Sequence, residues 1–173
     1  MILSTENGAL RERVGERKAI EILAKAGFDA IDYTFTPWME RGEMPWNGND
    51  YVSYAKEVNQ IAKDNGIHFN QAHAPFIFHT SYLPDWNREI MPLQIRCMEA
   101  CALLGIPHMV VHPVHHLPYN KHLTATQTNM ETIWKLNREY YHLLQPYAKQ
   151  FGVKMCLENM FGEDDRRGCL VPD

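Results

Sequence analysis

Three short apolar runs each end in a side chain that can bind a metal ion. His73 stands in Gln71-Ala72-His73-Ala74-Pro75-Phe76, His112 in Val110-Val111-His112-Pro113-Val114-His115-His116, and Glu158 in Cys156-Leu157-Glu158-Asn159-Met160. Two imidazoles and a carboxylate form a mixed N/O donor set, which suits Zn, Mn, Co or Fe better than Ca. A carboxylate directly after an apolar run is costly to bury unless it is paired or metal-bound. The alternative for Glu158 is a salt bridge to Lys or Arg. A lone His at the end of a buried strand is more often a hydrogen-bonded structural residue than a ligand, so the expectation rests on the three together.

Other residues are weaker candidates for touching a substrate. His115 and His116 follow the His112 run and could meet a substrate hydroxyl, or be a solvated loop pair. Trp38 and Trp46, in a stretch rich in Gly, Pro and Trp, could form an apolar wall over a sugar face or pack within their loop. Phe76, beside His73, could do likewise. His68, His79, His108, His122 and His142 show no partner pattern and are given no role. Cys97, Cys101, Cys156 and Cys169 contain no CxxC pair, and the i, i+4 spacing of Cys97 and Cys101 reads as packing thiols on one helix face.

The elements that must position these groups alternate between short β-rich runs and longer stretches of helical period, the pattern of a parallel sheet built from βαβ units. Strands are predicted over Ile2–Ser4, Ala30–Phe35, Ile67–Ala72, His108–His112 and Val153–Leu157. Helices are predicted from about Gly15 to Ala26, from an N-terminal cap at Asp50 to Asn65-Gly66, and from about Arg88 to Leu104. The long periodic segment from Ile133 to Phe151 contains Pro146, which predicts a kink or break near Gln145. In such architectures functional groups gather at the C-terminal ends of the strands, where His73, His112 and Glu158 are expected. Periodicity alone does not choose between an open doubly wound sheet and the larger part of a barrel.

At 45% hydrophobic and 22% charged residues over 173 positions, the chain can bury one substantial core and reads as one domain over residues 1–173. Its net charge of -4 disfavours nucleic acid as a partner. No apolar run approaches the roughly 20 residues of a membrane span, and no secretory signal opens the chain, so a soluble, cytoplasmic protein with no membrane partner is expected.

Taken in order, Gly27-Phe28-Asp29-Ala30-Ile31-Asp32, His73-Ala74-Pro75, Val110-Val111-His112-Pro113 and Leu157-Glu158-Asn159 resemble the xylose isomerase-like TIM barrel superfamily. That superfamily includes sugar-phosphate isomerases and epimerases and is related to endonuclease IV. The resemblance implies an α/β fold, a (β/α)8 barrel of which this chain carries about the first five βα units. It implies a divalent metal cofactor (Mn, Co, Zn or Mg) and a sugar or sugar phosphate substrate isomerised or epimerised by proton transfer through an enediolate. Glu158 matches a glutamate that is a metal ligand and serves in proton transfer. His112 and His73 match residues that bind metal in the endonuclease branch and more often line the substrate pocket in the sugar branch. The family takes further ligands, an Asp, a His and a second Glu, from its sixth to eighth strands, which this sequence does not contain, so the activity is expected to be incomplete here. The alternatives are endonuclease IV-like phosphodiester cleavage, and a non-catalytic partial barrel that pairs with a second copy or another chain.

Overall fold

A computed structural model describes residues 1–35, 45–75, 86–113 and 127–158. Strand β1 (Ser4–Glu6) is followed by α1 (Gly8–Val14), α2 (Glu16–Lys25), β2 (Ala30–Thr34) and α3 (Tyr51–Asp64). Then come β3 (His68–His73), α4 (Trp86–Leu104), β4 (His108–Val111), α5 (Gln127–Phe151) and β5 (Lys154–Leu157). The strands form one sheet in the order β1-β2-β3-β4-β5, every neighbouring pair parallel. An open doubly wound sheet reverses its strand order at a switch point, whereas a (β/α)8 barrel adds each strand beside its predecessor. The observed order is that of five units of a barrel, which settles what periodicity left open.

The core lies between one face of this sheet and the helices. Ile31 and Tyr33 of β2, Phe69 and Ala72 of β3, and Met109 and Val111 of β4 pack with Ile20 and Leu23 of α2, Ala55, Val58 and Ile61 of α3, Met98 and Cys101 of α4 and Tyr140 and Leu144 of α5. Side chains alternate across a strand, so the intervening positions face the other way, into the barrel. Those positions are Asp32, Thr34, Gln71, His73, Val110 and Cys156. His112 and Glu158 lie two residues beyond Val110 and Cys156, at the next inward positions.

Several boundaries differ from the sequence expectation for identifiable reasons. The first strand lies at Ser4–Glu6 rather than Ile2–Ser4, and Leu3 precedes it with its N–H taken by a side chain. Its N–H donates to Asp29 Oδ2 at 2.8 Å and its carbonyl accepts from the Asp29 and Ala30 N–H groups. Helix α1 was not expected; Gly15, at φ +82°, separates it from α2 and supplies the turn that no side chain with a Cβ adopts readily. Asp50 precedes α3 but makes no side-chain capping bond. Helix α5 runs unbroken through Pro146. The carbonyl deprived of a donor there is that of His142, and both residues are exposed, so water can satisfy it. Cys97 and Cys101 are buried and form no disulfide, as the spacing predicts. Among the described residues no helix is long and apolar enough to cross a membrane.

Candidate metal centre

The C-terminal ends of the strands are tied together before any functional side chain is considered. Phe35 N donates to His73 O at 3.0 Å and Ala74 N to Val110 O at 3.0 Å. A buried polar cluster anchors the end of β2. Arg11 donates through Nη2 to Thr34 O at 2.6 Å, pairs through Nη1 with Glu16 Oε2 at 3.2 Å, and lies over the Tyr33 ring at 4.7 Å. Glu16 Oε2 also accepts from Tyr33 Oη at 2.7 Å and Tyr54 Oη at 2.9 Å. Burial pushes the Tyr33 phenol well above its ordinary range, so it stays protonated and donates. At the same strand end Gly8 packs so closely that a Cβ there would come within 2.5 Å of the Thr34 methyl.

Across this frame, His73, His112 and Glu158 converge. One donor atom from each lies within 4.8 Å of the other two. His112 Nε2 is 3.0 Å from Glu158 Oε2, His73 Nε2 is 4.0 Å from the same oxygen, and the two imidazole rings are 5.7 Å apart between centroids. His112 is 2% exposed, whereas the Glu158 side chain is 44% exposed and opens the cluster to solvent. The parallel register makes this possible. Thr34, His73, Val110 and Cys156 stand in one row, and the two following inward positions on the fourth and fifth strands carry His112 and Glu158.

The donor set fits a divalent ion. Ligands about 2.1 Å from a common ion stand at most about 4.2 Å apart; both imidazole-to-Glu158 distances already meet that bound, and the spread of the whole cluster, within 4.8 Å, exceeds it by about 0.6 Å, which the two imidazoles would close between them. Three protein ligands of this kind leave further positions open for water, substrate or other donors.

Two polar residues at the site escaped the sequence reading. Asp32 Oδ1 lies 2.9 Å from His73 Nδ1, and Gln71 Nε2 donates to Asp32 Oδ2 at 2.7 Å. Asp32 is a carboxylate between apolar Ile31 and Tyr33 in the middle of β2, and that local signal, a carboxylate costly to bury unless paired, could have found it. The hydrogen bond to Asp32 raises the His73 pKa above its ordinary 6.5; burial opposes this, and the charges of Asp32, Glu158 and Glu6 reinforce it. A raised folded-state pKa means that the protonated pair contributes stability in full below the ordinary value, and loses it as pH rises through the folded value. The metal-free chain should therefore lose stability as pH climbs above 6.5. Urea midpoints on either side of that window should fall in the wild type and fall less in Asp32→Asn; equal slopes in both would refute the assignment.

The remaining candidates divide. Trp38, Phe76, His115 and His116 lie outside the described residues. Trp46 is not a wall over the site: it is 2% exposed, packs edge-on against Tyr33, Phe35 and Tyr54, and donates from Nε1 to Tyr33 Oη at 3.0 Å. Its indole N–H found a partner inside the core, which allowed the large ring to be buried there.

Among curated proteins, none matches the chain by sequence. Solved structures do match its fold. The 3-keto-D-glucoside 4-epimerase of E. coli superimposes with a TM-score of 0.66 at 18% identity, covering 92% of this chain and 56% of that one. A D-psicose 3-epimerase, solved in the presence of D-fructose, gives 0.66 at 18% identity, covering 92% and 53%. The IolI protein, solved with a zinc atom, gives 0.63 at 18% identity, covering 91% and 51%. The chain thus spans about half the length of the structures it resembles. The family of xylose isomerase-like TIM barrels matches residues 20–170, nearly the whole sequence. That match and the stepwise parallel order of the strands agree, and the chain belongs to the xylose isomerase-like TIM barrel family.

Proposed function

We propose that this chain provides one part of a divalent-metal-dependent isomerase or epimerase site acting on a small sugar or sugar phosphate. The observation that supports it is the meeting of His73, His112 and Glu158 at the C-terminal mouth of the sheet. Two of the matched structures are named as sugar epimerases, and another was solved with zinc, in line with this reading.

His73, His112 and Glu158 would hold the ion, with Mn, Co, Zn or Mg as candidates. When bound, a divalent ion acts as a Lewis acid toward adjacent substrate oxygens and stabilises charge that develops on the carbonyl side. Glu158 is the carboxylate placed to move a proton. It is half exposed at the open side of the cluster, where a carbon next to the substrate carbonyl would enter, and it would carry that proton while the substrate passes through an enediolate. His112, fully buried beside it, fixes the orientation of one carboxylate oxygen. His73 holds the opposite side. The second base of an epimerase, and further metal ligands, would come from units beyond these five strands.

The test is hydrogen exchange. The full chain is incubated with each of the four ions and a panel of ketoses and ketose phosphates in deuterated water, and deuterium incorporation next to the carbonyl is followed by NMR. Metal-dependent incorporation that Glu158→Gln abolishes is the expected result. Neither bound ion nor incorporation under any condition would overturn the proposal.

A further inference from the structure

We infer that Asp32 is a positioning residue: held by Gln71 at a β-bulge, it keeps the His73 proton on Nδ1 and leaves Nε2 bare toward Glu158 and His112. The inference rests on the metal-site reading above, because the position of that proton matters most where Nε2 is to be a ligand.

The backbone makes the arrangement. Ala30 pairs with His68 and Ile31 with Phe69, but Asp32 then pairs with Gln71, so β3 carries one extra residue, Asn70, at this point. A one-residue offset exchanges the faces of every following side chain. Phe69 and Ala72 both join the core on the helix side, which an unbulged strand could not achieve for residues three apart. Without the bulge, Asp32 would stand beside Asn70 and Thr34 beside Ala72. With it, Asp32 stands beside Gln71, Thr34 beside His73, and the four polar side chains share the inward face.

The chemistry then follows from donor counting. A carboxylate accepts and does not donate. Both Asp32 oxygens are engaged, Oδ2 by the Gln71 amide at 2.7 Å and Oδ1 by His73 Nδ1 at 2.9 Å. A neutral imidazole has one N–H, so the contact is a hydrogen bond only if the proton is on Nδ1. On the other side of the ring, His73 Nε2 is 4.0 Å from Glu158 Oε2, too far for a hydrogen bond that would hold a proton there. His112 is the reverse case. Its Nε2 lies 3.0 Å from Glu158 Oε2, and against an acceptor-only carboxylate that nitrogen carries the proton. The two imidazoles of the metal-free site are thus opposite tautomers: His73 is already set to bind, while for His112 to ligate through Nε2 its proton would have to pass from Nε2 to Nδ1 by exchange with solvent. Outer carboxylates that orient metal-binding imidazoles are a recurring device, and losing one typically lowers metal affinity 10–100-fold.

The experiment is a two-bond ¹H–¹⁵N correlation spectrum of the metal-free full chain, recorded above the histidine titration range, with His73→Gln and His112→Gln assigning the signals. Expected are a bare Nε2 for His73 and a bare Nδ1 for His112. Asp32→Asn, which can donate as well as accept, should mix the His73 tautomers and weaken Zn binding by roughly tenfold, with Asp32→Glu recovering part of both. A general loss of stability would not move the tautomer, and the wild-type spectrum stands even if the Asn variant fails to fold. A bare Nδ1 on wild-type His73 overturns the inference, even if Zn binds at the site. A bare Nε2 in a chain that binds no ion supports the positioning role of Asp32 and refutes the metal reading instead.

Discussion

Glu158→Gln should lower the affinity for divalent ions by roughly 100-fold or more, at or beyond the upper end of what losing an outer-shell partner costs. Its Oε2 atom is common to both imidazole contacts, at 3.0 Å from His112 Nε2 and 4.0 Å from His73 Nε2, so its removal breaks two of the three ligand pairs and leaves the two imidazoles alone. Gln keeps the shape and a carbonyl oxygen but removes the only negative charge among the three donors. The side chain is 44% exposed, so the fold should tolerate the change, with stability moving by about 0.5 kcal/mol or less. Competition against a chromophoric chelator measures the first effect and urea denaturation the second. Affinity within a factor of about three of wild type would remove Glu158 from the proposed ligand set. His112→Ala is a poorer probe, because that residue is 2% exposed and its loss would disturb packing as well as coordination.

The largest effect on stability should come from the buried cluster behind the site. Arg11→Met removes the cation that faces Glu16 in a region where the two side chains are only 6% and 10% exposed. Breaking a buried pair from one side typically costs about 3–5 kcal/mol, because the remaining charge stays desolvated. Glu16 would retain the Tyr33 and Tyr54 hydroxyls, which offsets part of that loss. The Thr34 carbonyl would lose its 2.6 Å donor, and the Tyr33 ring the cation above it, which adds to it. Set against total stabilities of roughly 5–15 kcal/mol, such a loss is a large fraction. Arg11→Lys should fall between, since Lys keeps the charge but cannot reach Glu16 and Thr34 with one planar fork. Urea midpoints at unchanged m-value report the result; a change under about 1 kcal/mol for Arg11→Met would show that the pair is dispensable.

The strands were legible because a parallel strand buried on its helix face leaves a short β-rich run between turn residues, and each observed strand lies within two residues of the predicted one. The same local signal placed His73, His112 and Glu158 at strand ends. Helix α1 was missed because Gly8–Val14 carries its apolar residues too sparsely to show a period, and it is tied instead by Arg11, a residue whose burial no local pattern announces. Of the kink or break expected at Pro146, the break did not form: the exposed face of α5 lets water take the place of the missing donor. Trp46 looked like a loop aromatic because its neighbours are Gly and Pro; only the nearness of Tyr33 in space explains its burial.

The sequence by itself determined the strand and helix grammar, which depends on residue types within a few positions of one another, and, through short motifs taken in order, the family; it also named the three side chains proposed as metal ligands. Only the tertiary structure decided that the strands follow one another in order, and that the ends of β3 and β5, not neighbours in the sheet, bring His73 and Glu158 to 4.0 Å. It also decided that a bulge turns Asp32 and Gln71 toward His73. The physical reason is that a face and a register are relations between strands. A single extra residue reverses the first and shifts the second, and no stretch of sequence read alone records which residue of the partner strand it will meet.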